Sequence, residues 1–322
     1  MASLKTPQVK IAILKNPFKK QEYQYLNVIP GSRPWTKGLS RNISLDEAIA
    51  LYIKSKYSNV HIVYTSLDNV LKTNDFHLVF AGTEIYSNWG WLYSTQTENY
   101  MKKVKAQLKK VKNLHPNIEY LHTMGDKCLY TPLLAKAQVP VTPTYCIPPS
   151  QTNNLRRTAR MLGNVFIKPS TGAEAKNVYS YKHGDVEKYF DLIKSKKYNS
   201  MIIQPYRNFG TKSNPELKCY FVGEDLSYAV GATLEGRTTD FYKKIPKAAM
   251  TIAQRTLKVL HKLSDKVIIS RIDMYKYNGK YYVNEIESGP AIAKADLREL
   301  KDKWDLDVLL GERIIKLSMK QT

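Results

Sequence analysis

The chain has 322 residues, a formal net charge of +22, 43% hydrophobic residues and 24% charged residues. That length predicts two or three packed units with a sizeable core, and the apolar-to-charged balance is that of a soluble globular chain. No apolar run is long enough to span a bilayer, the opening MASLKTPQVKIAIL lacks the apolar core of a signal peptide, and Cys128, Cys146 and Cys219 show no CxxC spacing. Together these argue against a membrane protein, a zinc site and a disulfide scaffold, and they predict a cytoplasmic chain in a reducing compartment.

In chain order, VKIAIL (9–14) reads as a buried strand. Ser44-Leu-Asp-Glu47 is a capping box, so a helix should run from there to about Tyr57. VHIVYT (60–65) and HLVFAG (77–82) read as further strands, and strands alternating with helices predict an α/β first unit. Residues 99–113 form a basic amphipathic helix with Tyr100, Val104, Leu108 and Val111 on one face. It has two readings, a nucleic-acid or membrane surface and a solvated lysine face over a core stripe. No aromatic residues interleave with its lysines, so the second is preferred.

Asp126-Lys127 should cap a helix, and Thr131-Pro132 looks like a second N-terminus, so that helix should start late or break. The Pro-rich VPVTPTYCIPPS (139–150) reads as an extended connector. A helix follows at 152–162, then strands at 165–168, 177–181, 201–204, 216–222 and 227–231. Further helices are expected at 250–263 and near 305–318. The six histidines are scattered and suggest no triad.

The late segment IISRIDMYKYNGKYYVNEIESGP (268–290) gathers Asp273, Glu285 and Glu287 around an Asn278-Gly279 turn. Clustered carboxylates repel and lose hydration when buried, and a hard divalent cation such as Mg²⁺ offsets both costs. A two-residue loop would set Asp273 opposite Asn284 and turn Glu285 to the other side. A three-residue loop, 277–279, would set Asp273 opposite Val283 and place all three carboxylates on one face. The metal reading therefore requires the odd-length loop. The plainer reading is an exposed, charged strand end.

Four segments in order carry a family resemblance: MGDKCLYTPLLAKAQVPVTPT (124–144), NVFIKPSTGAEAKNVYSY (164–181), MIIQPYRNFGTKSNPELKCYFVGEDLSYAV (201–230) and the late hairpin. Over about residues 120–295 they resemble the ATP-grasp superfamily, in outline the glutathione synthetase and D-alanine–D-alanine ligase branches. The resemblance implies an N-terminal α/β unit (1–121), an ATP-grasp subdomain A (122–205) and a subdomain B carrying the metal hairpin (206–322), an α/β and α+β fold clamping ATP. It implies that Lys127, Lys168 and Lys218 hold the nucleotide, that Ser170 and Gly172 belong to a loop over its phosphates, and that Gln204 and Tyr206 form the adenine hinge, with Tyr206 or Ile203 as its apolar wall. Asp273, Glu285 and Glu287 would bind Mg²⁺, two ions with Mn²⁺ as a substitute. Arg271 and Lys218 would be catalytic. Arg237, on a loop, with Ser288 and Gly289 would meet the substrate.

Two departures from the pattern stand out. Glu287 replaces the usual Asn, and the 170–176 loop is poor in glycine and carries Glu174 and Lys176. The plainer readings of Lys168 and Lys218 are a lysine reaching to solvent and an ion pair with Glu216.

The reaction implied is ATP-dependent joining of a small-molecule or peptide carboxylate to an amine through an acyl phosphate. An ATP-grasp kinase acting on a polyanion such as an inositol phosphate is the alternative, favoured by the net charge. A non-catalytic nucleic-acid-binding protein is a third reading. It would predict steep salt dependence and would leave the carboxylate cluster a liability. Against both, Lys and Tyr are abundant throughout, which is a compositional explanation of the charge. Nothing indicates a membrane partner, and the oligomeric state is not legible.

Overall fold

The computed structural model describes residues 9–15, 27–28, 33–40, 43–83, 85, 98–171, 179–181, 200–233, 238–264, 267–287 and 306–320. The first unit contains β1 (Val9–Leu14), β2 (Asn27–Val28), β3 (Ile43–Ser44), α1 (Leu45–Lys56), β4 (Val60–Thr65), α2 (Leu67–Thr73), β5 (Leu78–Phe80), α3 (Glu98–Leu108), β6 (Leu114–His115) and α4 (Ile118–Met124). A parallel sheet in the order β4-β1-β5-β6 forms its centre. Ile11, Ala12, Ile13 and Leu14 are all buried, as a parallel strand covered on both faces must be. The amide of Glu47 donates to Ser44 Oγ at 3.1 Å, which starts α1 where the capping signal placed it. After β5 the chain passes so close to β1 that a Cβ on Gly82 (φ +85°) would lie 2.7 Å from the Leu14 carbonyl oxygen. In α3, Val104 and Leu108 are buried while Lys102 and Lys103, and Lys109 and Lys110 just after it, are exposed, the core stripe with a solvated lysine face.

The second unit holds α5 (Lys127–Lys136), β7 (Tyr145–Ile147), α6 (Thr152–Leu162), β8 (Val165–Pro169), β9 (Tyr179–Tyr181) and β10 (Met201–Pro205). The strands form an antiparallel sheet ordered β7-β10-β8-β9. Ile147, Val165, Ile167, Met201 and Ile203 pack with Leu155 and Ala159 of α6 in a small separate core. Helix α5 neither starts late nor breaks at Thr131-Pro132, contrary to the sequence expectation. Asp126 Oδ1 accepts from the Cys128 amide at 2.8 Å, and the amides of Leu129 and Tyr130 donate to the Asp126 carbonyl at 3.0 and 3.2 Å. With the first turn so anchored, Pro132 costs the helix a single backbone bond and is carried inside it.

The expectation of unlinked cysteines also fails. Cys128 and Cys146 form a disulfide across a Cα–Cα distance of 5.8 Å and 18 residues of sequence. The chain reverses between α5 and β7, which spacing alone does not show. Cys219 is free and buried.

The third unit is built from β11 (Glu216–Val222), β12 (Asp225–Ala232), β13 (Thr238–Tyr242), α7 (Lys247–Leu263), β14 (Ile269–Tyr277), β15 (Lys280–Glu287) and α8 (Leu306–Ser318). Its antiparallel sheet is ordered β13-β12-β11-β14-β15. Cys219, Phe221, Ile272, Met274 and Ile286 belong to the same large core as Ala249, Ala253, Leu257 and Leu260 of α7. Residues 238–242, to which the sequence reading gave no strand, are an edge strand paired with β12. At the opposite edge the Pro-rich connector lies as an extended strap on β15. Thr142 N donates to the Val283 carbonyl at 2.9 Å, and Val283 N donates to the Pro140 carbonyl at 2.8 Å. That strap closes an edge that would otherwise invite strand pairing.

Helix α8 returns to the first unit. Trp35 Nε1 donates to Asp307 at 3.1 Å, and the hydroxyls of Tyr52 and Tyr57 both donate to Glu312. No helix among the described residues is long and apolar enough to cross a membrane.

Candidate active site

The small antiparallel sheet and the large one face each other across a cleft, and strand alternation sorts their residues. From the large sheet, Lys218, Asp273 and Glu285 stand in one cross-strand row and Tyr220, Arg271 and Glu287 in the next. From the small sheet, Phe166, Lys168 and Gln204 point the same way, opposite to the residues packed on α6.

The hairpin reaches this arrangement by a route the sequence reading did not foresee. Its loop has two residues, with Tyr277 opposite Lys280 and both Asn278 (φ 47°) and Gly279 (φ 77°) left-handed. A bulge between the pairs Asp273–Glu285 and Met274–Val283 then inserts Asn284 as an extra residue. The bulge reverses parity. Asp273, Glu285 and Glu287 share a face without the odd-length loop. Asn284 Nδ2 reaches back to donate to Glu216 Oε1 at 2.7 Å.

Each carboxylate is matched by cations. Arg271 is 4% exposed; its Nε donates to Asp273 Oδ1 at 2.7 Å and its Nη2 to Asp273 Oδ2 at 2.8 Å. The same Nη2 lies 2.6 Å from Glu287 Oε1. Lys218 Nζ sits 3.3 Å from both Asp273 Oδ2 and Glu216 Oε2, so the ion pair with Glu216 is present. Glu285 takes Lys127 Nζ at 2.8 Å and has Lys168 Nζ at 3.9 Å.

Burial and charge compete at every group. Burial works against the Glu285 carboxylate, but Lys127 and Lys168 outweigh it and hold its pKa below the usual range. Burial pushes Glu287 up, with Asp273 and Glu285 adding to the effect and Arg271 opposing it. Burial lowers Lys168 despite Glu285, so a second anion beside its ammonium would be stabilised. For Lys218 burial is overcome by Asp273 and Glu216, which keep the ammonium charged.

With the carboxylates paired in this way, no three His, Cys, Asp or Glu side chains among the described residues form a ready metal-binding group. The donor chemistry nonetheless fits a hard divalent cation: oxygen-only, three carboxylates on adjoining strands, held by cations that an incoming ion and phosphates could relieve. Lys168 is buried rather than reaching to solvent. Ser170 is fully buried, and its Oγ has no hydrogen-bond partner among the described residues. Its carbonyl accepts from Lys127 N at 2.9 Å, tying the end of β8 to the start of α5.

At the hinge, Gln204 Nε2 donates to Thr144 Oγ1 at 2.9 Å, which commits that amide to the neighbouring segment. Ile203 is fully buried in the core against α6, so it cannot form an apolar wall of the cleft. Tyr206, by contrast, is 38% exposed and stacks on Phe166 at 4.9 Å. Phe166 also meets Phe209 at 6.2 Å, and Phe209 stacks on Tyr275 at 4.3 Å, so one aromatic column joins the two sheets. Gly172, Glu174, Lys176, Arg237, Ser288 and Gly289 lie outside the described residues.

Sequence reasoning missed Tyr130. Its hydroxyl accepts from the Ile286 amide at 3.4 Å, between the two hairpin glutamates, and burial followed by the Glu285 charge raises its pKa. Lys127, Tyr130 and Leu134 are the buried residues of α5, an i, i+3, i+7 stripe that could have shown it.

No family model matches the chain, and no curated protein matches it. Solved structures do. D-cycloserine synthetase DcsG superposes with a TM-score of 0.66 at 17% identity, covering 97% of this chain and 100% of the other. D-alanine–D-alanine ligase from Bacillus anthracis complexed with ATP gives 0.62 at 13% identity, covering 97% of each chain. The ATP-grasp ligase PsnB complexed with precursor peptide PsnA2 and AMPPNP gives 0.60 at 10% identity, covering 97% and 99%. At these identities the likeness is one of fold.

Proposed function

We propose that this chain, which has the ATP-grasp fold, is an ATP- and Mg²⁺-dependent ligase that joins a small-molecule or peptide carboxylate to an amine through an acyl phosphate. The observation that carries the reading is the row of Asp273, Glu285 and Glu287 on the cleft face, interleaved with Arg271, Lys218, Lys127 and Lys168. Asp273, Glu285 and Glu287 would hold Mg²⁺, which when bound offsets phosphate charge and polarises the transferring group.

The chain's own residues do the rest. Lys127 and Lys168 enter from the small-sheet side, and with nucleotide present they exchange Glu285 for phosphate oxygens. Lys168 gains most from that exchange, because burial disfavours its charge. Tyr206 and Phe166 offer a flat wall for adenine. The substrate carboxylate attacks the γ-phosphorus, and ADP leaves. The amine then attacks the acyl carbon, phosphate leaves, and the amine's proton passes to solvent or phosphate. Arg271, held rigid by Asp273 and Glu287, presents its remaining guanidinium surface to the oxyanion of that second step. No side-chain nucleophile is required.

The site also weighs against the kinase alternative. Glu216, Asp273, Glu285 and Glu287 offset Lys127, Lys168, Lys218 and Arg271 one for one, so the described cleft has no excess of positive charge for a polyphosphorylated substrate. The chain's +22 lies elsewhere. The test is calorimetry with Mg²⁺ and a non-hydrolysable ATP analogue, wild type against Glu285→Gln. Micromolar, Mg²⁺-dependent binding that the variant loses supports the site, and absence of binding by the wild type refutes it. Release of inorganic phosphate only when a carboxylate and an amine are both supplied separates ligase from kinase.

A further inference from the structure

We propose that Cys128 and Cys146 are a redox site whose disulfide sets the grip on the metal-binding hairpin and thereby the affinity for Mg²⁺ and nucleotide. The affinity part rests on the ligase reading; the grip does not.

The disulfide closes a covalent ring over residues 128–146, and nearly every contact of the strap lies within it. Tyr130 accepts from Ile286 N at 3.4 Å. Pro140 and Thr142 exchange hydrogen bonds with Val283 at 2.8 and 2.9 Å. Thr142 Oγ1 also donates to the Tyr275 hydroxyl at 3.2 Å. The ring therefore holds β15 on both sides of Glu285. Lys127, the residue before Cys128, contacts Glu285 itself at 2.8 Å. The other end of the ring is anchored in the small sheet, where β7 pairs with β10 from Tyr145 to Ile147. The bond thus clamps together α5 and the strap leading into β7, the two segments whose hydrogen bonds and ion pair hold the hairpin of the large sheet.

Both linked cysteines are half-buried, within reach of a small thiol, whereas Cys219 is sealed in the core where burial raises its thiol pKa. A low-molecular-weight disulfide is the oxidant the chemistry needs. The Cys128 thiolate attacks one of its sulfurs and expels one thiolate, leaving a mixed disulfide. The Cys146 thiolate then attacks Cys128 Sγ and expels the second. The protein loses two protons and two electrons, and the reagent gains them as two thiols. A dithiol reductant reverses both steps.

The experiment uses the full chain, treated either with oxidised glutathione or with dithiothreitol and then freed of reagent. Denatured thiol titration should count one thiol in the oxidised form and three in the reduced form. The amides of Val283 and Ile286 should exchange with solvent faster after reduction. Binding of Mg²⁺ with a non-hydrolysable ATP analogue should weaken about tenfold, the scale seen when the support of a metal ligand is loosened. The double variant Cys128→Ser/Cys146→Ser, which can form neither the disulfide nor the mixed disulfide, should match the reduced form in exchange and in nucleotide binding under either treatment. Three thiols after oxidation would overturn the proposal, as would equal exchange at Val283 and Ile286 in the two forms. Equal nucleotide affinity in the two forms would overturn the gating while leaving the ligase reading intact. If neither form binds nucleotide, the ligase reading and the gating fall together, and the exchange data still decide whether the pair controls the hairpin.

Discussion

In the small sheet Val165, Ile167, Met201 and Ile203 turn to their helix while Phe166, Lys168 and Gln204 turn to the cleft; in the large sheet Cys219, Ile272 and Met274 turn to the core while Lys218, Arg271 and Asp273 turn to the cleft. The alternation is the same, and the charge loading is not. Arg271, Asp273, Glu287, Lys218 and Glu216 satisfy one another within the large sheet. Lys168 is a buried cation whose ion partner, Glu285, lies in the other sheet at 3.9 Å. Among the described residues, one side of the cleft is a self-consistent ionic network, and the other carries a cation paired only across the cleft, at long range. On the proposed reading, that asymmetry would serve a clamp that binds and releases a polyanion, because the side that would hold the metal and the side that would meet phosphate need not trade partners within one sheet.

The comparison can be broken most directly at Arg271. Arg271→Met removes the cation that Asp273 and Glu287 share, and leaving buried carboxylates uncompensated should cost about 3 kcal/mol of unfolding free energy in urea. A loss below about 1 kcal/mol would show that the large-sheet network is not self-consistent in solution. Lys168→Met should leave stability within about 1 kcal/mol of wild type, since burial already disfavours the ammonium, yet weaken binding of the ATP analogue about tenfold, measured by calorimetry. Unchanged affinity would remove Lys168 from the phosphate site.

Smaller effects sharpen the picture. Tyr130→Phe removes the acceptor for the Ile286 amide and should destabilise by about 1 kcal/mol, with faster exchange confined to that part of β15. Gln204→Leu deletes the bond to Thr144 and should cost about 0.5 kcal/mol in the same urea titration, because that contact is partly exposed. If Gln204→Leu proved the costlier of the two, the hinge rather than the strap would be the better-fixed part of the cleft.

Much of this was legible before any coordinates. The capping residue Ser44, the buried strand 9–14, the lysine at the end of Val165-Phe166-Ile167 and the Asn278-Gly279 turn are all local signals, each set by the chemistry of a few adjacent residues. Other features were illegible for an equally physical reason. Strand period two says which residues share a face only until a bulge intervenes, and nothing near Asn284 announces one. The apolar character of Ile203 fits a cleft wall or a core equally well, and only α6 on that side decides it. The 238–242 segment forms a strand because β12 is there to pair with it.

The amino-acid sequence by itself settled the alternation of the strands and the place of the hairpin turn at Asn278-Gly279, because propensity and periodicity act over a few residues, while the family resemblance singled out the charges. Only the tertiary structure decided that the three carboxylates face one way, which cation each one takes, and that Cys128 and Cys146 join α5 to β7. Those outcomes depend on register and chain reversal between segments as far apart in the chain as Lys127 and Glu285. No local preference encodes such long-range pairings; they are chosen when the sheets and helices pack and exclude the alternatives.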